Sequence, residues 1–193
     1  MVGAMSEITV LPATHDRWDD VDACLGGDGD KGCWCQSWRG VEVPGERRRD
    51  ALVRQLSTSA VPPGYLAYLD GEVAGWAGVS VRTLTPRLVR SRTIPWIDDL
   101  PAWSIGCFRV RAGRRRRGVA SALLTGVVEA ARAAGAPAVE AYPIDPGRGR
   151  VDVTQGYVGL ASMFDRAGFR RVMETTAHSA GLTRILVRLD LQA

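Results

Sequence analysis

Four consecutive arginines, Arg114 to Arg117, run into Gly118-Val119-Ala120 and then into an apolar, helix-forming stretch. Cations at a helix N-terminus oppose the helix dipole, at roughly 0.3–1 kcal/mol each, so stability alone does not explain four of them. An anion held at the turn reverses the sign. Free backbone N–H groups would take its oxygens, and the guanidinium groups would neutralise its charge. The spacing therefore predicts a site for a polyphosphate-bearing ligand, with a solvated charge cluster as the alternative. It is not the phosphate loop of ATPases, because no Lys-Ser or Lys-Thr pair follows the glycine.

Other chemistry-bearing residues are sparser. Cys33-Trp34-Cys35 is a single Cys-x-Cys with no second pair, and His15 and His178 stand far apart. A four-ligand zinc site is not expected from such a set, and no metal is predicted. Trp34 and Trp38 are core packing or a wall for a substrate.

The elements that must position these residues follow from periodicity and punctuation. Short strands are predicted at Ile8–Leu11, Tyr65–Leu69, Val73–Val81, Trp103–Val110, Ala138–Ile144, Phe169–Thr176 and Thr183–Leu191. Asp70-Gly71 is a two-residue hairpin signal. Helices are predicted at His15–Leu25, behind a Thr14 cap, at Glu46–Leu56, from about Arg117 to Ala134, and at Tyr157–Ala167. Gly135 and Gly168 close the last two. Gly26–Gly32 and Pro146–Gly156 read as loops, and Cys33–Trp38 is too short to classify. A strand, an anion-binding turn, a helix and a return strand make a βαβ unit at the centre.

At 193 residues the chain is most simply one domain spanning 1–193, with 83–102 an irregular insertion carrying one helical turn. The hydrophobic share of 46% and the charged share of 24% are ordinary for a soluble globular protein. No unbroken apolar run is long enough to span a membrane. No secretory signal is visible, and Met5 offers an alternative start to Met1. Four cysteines in this length do not make a disulfide scaffold, so a reducing cytoplasm is expected. The net charge of +4 is almost wholly arginine, and the acidic residues are spread throughout. That distribution dilutes any basic face, so a nucleic-acid partner is not expected.

Order and motifs together resemble the GNAT superfamily of acetyl-CoA-dependent N-acetyltransferases. Arg115-Arg116-Arg117-Gly118-Val119-Ala120 fits that family's Arg/Gln-x-x-Gly-x-Gly/Ala signature, behind the strand Cys107-Phe108-Arg109-Val110 and ahead of an apolar helix. Phe164-Asp165-Arg166-Ala167-Gly168-Phe169 matches its second feature, a short helix closing in Gly-Phe. The resemblance covers roughly Tyr65 to Leu191. It implies an α/β fold with a mixed, mostly antiparallel sheet flanked by helices on both faces, whose central strands splay around the cofactor arm.

The resemblance further implies acetyl transfer from acetyl-CoA to a primary amine, with no metal. Arg115, Arg116, Arg117, Gly118, Val119 and Ala120 would hold the diphosphate, and the main chain at Phe108 and Val110 would meet the pantetheine arm. Glu140, on the strand after the main helix, is the candidate base; an exposed strand-edge glutamate is its alternative. Asp98 and Asp99 are weaker candidates. The sequence departs from the family at Phe164, where many members carry a tyrosine that protonates the leaving thiolate. Tyr157 or water would have to serve instead, a buried aromatic with its hydroxyl at the surface being the alternative for Tyr157. The partner would be a small-molecule or peptide amine, and a homodimer is a candidate assembly. The rival functions are a non-catalytic acyl-CoA sensor and, more remotely, a nucleic-acid-binding module.

Overall fold

The computed structural model describes residues 7–40, 43–147, 156–179 and 181–192. Seven strands form one sheet: β1 (Ile8–Pro12), β2 (Gly64–Leu69), β3 (Glu72–Val81), β4 (Trp103–Val110), β5 (Ala138–Ala141), β6 (Arg170–Ser179) and β7 (Leu182–Asp190). Their order is β1-β2-β3-β4-β5-β7-β6. Neighbours run antiparallel except β4 and β5, which are parallel. The helices are α1 (Trp18–Leu25), α2 (Gln36–Arg39), α3 (Arg48–Thr58), α4 (Pro86–Val89), α5 (Val119–Ala133) and α6 (Ala161–Arg166).

Strand alternation sends successive side chains to two separate cores. Tyr65, Ala67, Ala77, Ile105, Val139 and Val187 join α5 and Phe164 of α6 on one face. Leu66 and Trp76 point the other way, into a cluster with α1, α3, Trp34 and Cys35. A third cluster on that second face joins Leu88 and Ile94 to Tyr142 and Leu186. Helices thus cover both faces.

Helix α5 buries Val119, Leu123, Leu124, Val127, Val128 and Ala131, each large apolar side chain worth roughly 1.5–3 kcal/mol. Two glycines let it lie close. A Cβ on Gly75 would stand 2.8 Å from Val119 Cγ1, and one on Gly126 would stand 2.6 Å from Val10 Cγ1. The helix begins two residues later than periodicity predicts. Arg116 (φ 59°) and Gly118 (φ 82°) are left-handed and cannot be helical. Gly135 (φ 70°) ends it, and Ala134 lies beyond the last turn, exposed.

Other boundaries moved for local reasons. His15–Arg17 is a 3₁₀ turn ahead of α1. Thr14 makes no side-chain cap there; its hydroxyl accepts from Arg17 Nη1 at 2.6 Å. Gly26–Lys31 winds as 3₁₀ turns broken at Gly29 rather than lying as open loop. The third helix runs Arg48–Thr58 instead of Glu46–Leu56. Strand β5 stops at Ala141, three residues short of Ile144, because Pro143 has no N–H to give a ladder. In place of the predicted Tyr157–Ala167 helix stand a 3₁₀ turn, Gly156–Val158, and the short helix Ala161–Arg166. Asp70 and Gly71 both have positive φ, as the hairpin required. Residues 1–4 and most of the 146–156 loop lie outside the described residues.

Candidate active site

The turn after β4 is built by backbone conformation. Arg111 N–H reaches Ala74 O at 2.9 Å, Arg111 Nη1 reaches Val73 O at 2.9 Å, and Arg114 N–H closes a turn onto Arg111 O at 3.1 Å. Left-handed residues at Gly113, Arg116 and Gly118 then wind the chain into α5. The helix opens with the bond from Ala122 N–H to Gly118 O at 2.9 Å. The N–H groups of Val119, Ala120 and Ser121 precede it, and helix geometry leaves them without an intrahelical acceptor. No side chain caps them.

The arginines around this turn divide into two kinds. Arg114 pairs with Glu72, and Arg117 with Asp70 at 3.5 Å, both acids from the β2–β3 hairpin. Arg115 and Arg116 are exposed and make no ion pair among the described residues. Val119 is a buried anchor, its side chain seated over Gly75. Arg115 to Ala120 therefore form one corner, two free guanidinium groups beside a row of unpaired donors.

The strand leading into this corner has one open edge. Trp103, Ser104 and Ile105 pair with Val139, Glu140 and Ala141 of β5. From Cys107 to Val110, β4 is paired only with β3 among the described residues. Beyond Ala141 the chain swings away, and Ile144 bridges Leu160 and Arg184 instead. Phe108 and Val110 sit on the strand along this gap. The Phe108 ring packs edge-on against Phe164 at 6.1 Å, and Phe164 against Phe169 at 5.2 Å. Phe164 is fully buried in that triple, a place where a hydroxyl would need a partner.

On the other face lies a polar network that periodicity did not reveal. Glu140 is 1% exposed, so it is not a solvent-facing edge residue. One carboxylate oxygen accepts from Arg188 Nη1 at 3.0 Å; the other accepts from the Tyr142 hydroxyl at 3.3 Å and lies 3.7 Å from Arg82 Nε. Burial holds the Glu140 carboxyl above its ordinary pKa, against the opposing pull of Arg82 and Arg188. Arg82 Nη1 donates to Tyr142 Oη at 2.5 Å, and Ser104 Oγ lies 3.2 Å from that oxygen. Asp98 joins through Arg188 at 2.8 Å, and its other oxygen accepts from Leu100 N–H.

Tyr157 does not take the pose of its alternative reading, a buried ring with the hydroxyl at the surface. The residue is 41% exposed, and its hydroxyl turns inward to accept from Arg184 Nη2 at 2.9 Å. Trp38 stacks on Tyr142 with ring centroids 5.9 Å apart and covers Gly106, where a Cβ would stand 2.8 Å from the indole. Trp38 thus borders the open part of β4. Trp34 instead is core, stacked on Trp18 and bonded through its indole N–H to Gly29 O.

The two cysteines of Cys-x-Cys part company. Cys33 is exposed beside Ser37. Cys35 is buried with its sulfur 3.2 Å from that of Cys107 on β4 and accepting from Trp76 Nε1 at 3.0 Å. The Cys107 contact, with the Arg39 charge and the indole donor, lowers the Cys35 thiol to about 7, while Cys107 is pushed up. Among the described residues no group of three or more His, Cys, Asp or Glu gathers as metal ligands would.

Sequence reasoning missed Arg82, Tyr142, Arg184 and Arg188. A signal was present: Arg184 and Arg188 sit on the same face of a largely apolar strand, and a buried charge needs a partner or a task.

Comparison with known proteins bears on these arrangements. No curated protein matches the chain in sequence. Among solved structures, an N-acetyltransferase from Staphylococcus aureus Mu50 is similar over 97% of this chain and 100% of its own, with a TM-score of 0.56 and 16% identity. A GNAT-family acetyltransferase from Streptococcus pneumoniae is similar over 96% and 100%, with a TM-score of 0.57 and 14% identity. The NatC complex, solved with Gag peptide and CoA, is similar over 96% and 99%, with a TM-score of 0.56 and 12% identity. At these identities the likeness is one of fold. The model of the acetyltransferase (GNAT) family matches residues 34–152, which takes in the open strand, the arginine turn and α5. With that match over more than half its length, the chain belongs to the GNAT family of acetyltransferases.

Proposed function

We propose that this protein transfers an acetyl group from acetyl-CoA to a primary amine. One observation carries the proposal: the guanidinium groups of Arg115 and Arg116, with the uncapped N–H groups at the start of α5, stand at the end of a strand whose other edge is open. Arg115, Arg116 and the N–H groups from Arg117 to Ala120 bind the diphosphate. The main chain at Phe108 and Val110 pairs with the pantetheine arm as an added strand would. A β4 N–H there polarises the thioester carbonyl, an effect typically worth 10²–10³ in rate.

The amine must lose a proton before it attacks. Glu140 receives it through the Tyr142 hydroxyl, which touches both the carboxylate and Ser104. Tyr157 protonates the departing thiolate. Its turn, Gly156–Val158, packs against β4, and its hydroxyl oxygen accepts from Arg184, which leaves its proton free to give.

Calorimetric titration with acetyl-CoA tests the corner. Arg115→Ala and Gly118→Glu should both weaken binding, the first by about tenfold, the loss of one charge-assisted contact. Unchanged affinity in both variants overturns the placement. Thiol release from acetyl-CoA across a panel of amines tests transfer itself. The buried, hydroxyl-free Phe164 favours a second reading, an acyl-CoA sensor. Binding without thiol release for any amine would support that one.

A further inference from the structure

Three guanidinium groups are buried on the second face of the sheet: Arg82 at 1% exposure, Arg188 at 3% and Arg184 at 4%. Arg82 and Arg188 share Glu140, and Arg188 also holds Asp98 and Asp190. Arg184 has no carboxylate partner among the described residues. The one hydrogen bond its guanidinium makes there is to the Tyr157 hydroxyl, and its Nε is buried with no hydrogen-bond partner among the described residues. A buried cation left this way is costly. Flat aromatic rings flank it: Trp38 5.0 Å and Tyr157 5.7 Å from its central carbon. These contacts recover part of that cost.

The position is informative. Arg184 bridges Ile144, where the chain departs from β4 and opens the gap. Its wall, Trp38, covers Gly106 at the start of the open strand. From these observations, and resting on the transfer proposed above, we infer that Arg184 anchors a carboxylate of the acceptor, so that the substrate is an amino acid or another amine carrying a carboxylate. The two oxygens of a carboxylate match the planar donor fork of a guanidinium. One oxygen takes the vacant Nε–H. The other takes Nη2–H beside the Tyr157 hydroxyl or in its place, the bidentate pairing that guanidinium favours.

The test reads binding rather than turnover. N-acetyl derivatives of α- and ω-amino acids, each as free acid and as primary amide, are titrated calorimetrically into the protein with and without CoA. The expected result is at least one acid that binds about tenfold or more tightly than its amide, with the ratio falling to near one in Arg184→Gln. Equal binding of acid and amide, a preference that survives in Arg184→Gln, or no acid binding at all overturns the inference. Should Arg184→Gln fail to fold, the acid-to-amide ratio of the unmodified protein decides alone. Loss of CoA binding or of thiol release would count against the proposed transfer and leave the acid-to-amide comparison intact, so the two failures are distinguishable.

Discussion

At the scale of single residues, the second face concentrates charge where solvent does not reach. Glu140 neutralises two buried guanidinium groups, and neither can easily lose its proton. Glu140→Gln should therefore destabilise the fold by about 3–5 kcal/mol, the usual cost of breaking a buried pair from one side, read by urea unfolding. If Glu140 also receives the amine proton, the variant that still folds will lose the acidic limb of its pH–rate profile. A loss of stability with an unchanged profile would confine Glu140 to positioning. The thiol pair makes a separate prediction. With the Cys35 thiol lowered to about 7 from an ordinary 9, the folded state releases a proton that the unfolded chain keeps. Its contribution to stability is full above pH 9 and disappears as pH falls through 7. Unfolding free energy should rise between pH 7 and 9 relative to Cys35→Ser, and a pH-independent difference would contradict the assignment. Above that window the raised Cys107 acts with the opposite sign.

At the scale of elements, α5 is held by close approach as much as by apolar area. Gly126 faces Val10 of the edge strand, and Gly75 faces both Val119 and the Arg109 carbonyl. Gly126→Val should push α5 off β1 and cost about 1–3 kcal/mol, as overpacking does. Gly75→Ala should do the same beside the anion corner, and should weaken acetyl-CoA binding because Val119 carries the first free donors. Thermal unfolding and calorimetry on the same two variants separate the effects. If Gly126→Val alone lowered acetyl-CoA affinity, the corner would not act as a local device.

At the scale of the whole molecule, the sheet is two blocks. Strands β1 to β4 form one, and β5, β7 and β6 the other, joined in the ladder by three pairs from Trp103–Val139 to Ile105–Ala141. Side chains from both blocks, with α5 and α6, share the first core, but the seam between β4 and β5 stays open beyond Ile105. A ligand lying in that seam binds both blocks at once. Acetyl-CoA at a hundred times its Kd should add about 2.7 kcal/mol of stability. Amide exchange should slow along Gly106–Val110 and around Ile144, not only at the arginine turn. Protection limited to the turn would place the pantetheine arm outside the seam.

The sequence alone determined the succession of strands and helices along the chain, the hairpin at Asp70-Gly71, the helix after Gly118 and the arginine turn itself. Those features are local: periodicity, left-handed glycines and a run of like charge act within a few residues of one another. The same locality explains the family signature, which is one turn and its flanks. Only the tertiary structure decided that Glu140 is buried between Arg82 and Arg188, that Tyr157 turns its hydroxyl inward, and that Cys35 meets Cys107 rather than Cys33. It also decided which arginines of the corner are already paired. Each of these depends on residues 27 to 72 apart in sequence being laid side by side, and on whether a charge meets its counter-charge there. Composition cannot foretell that pairing, because one strand register brings a guanidinium to a carboxylate and the next leaves it alone, as Arg184 is left.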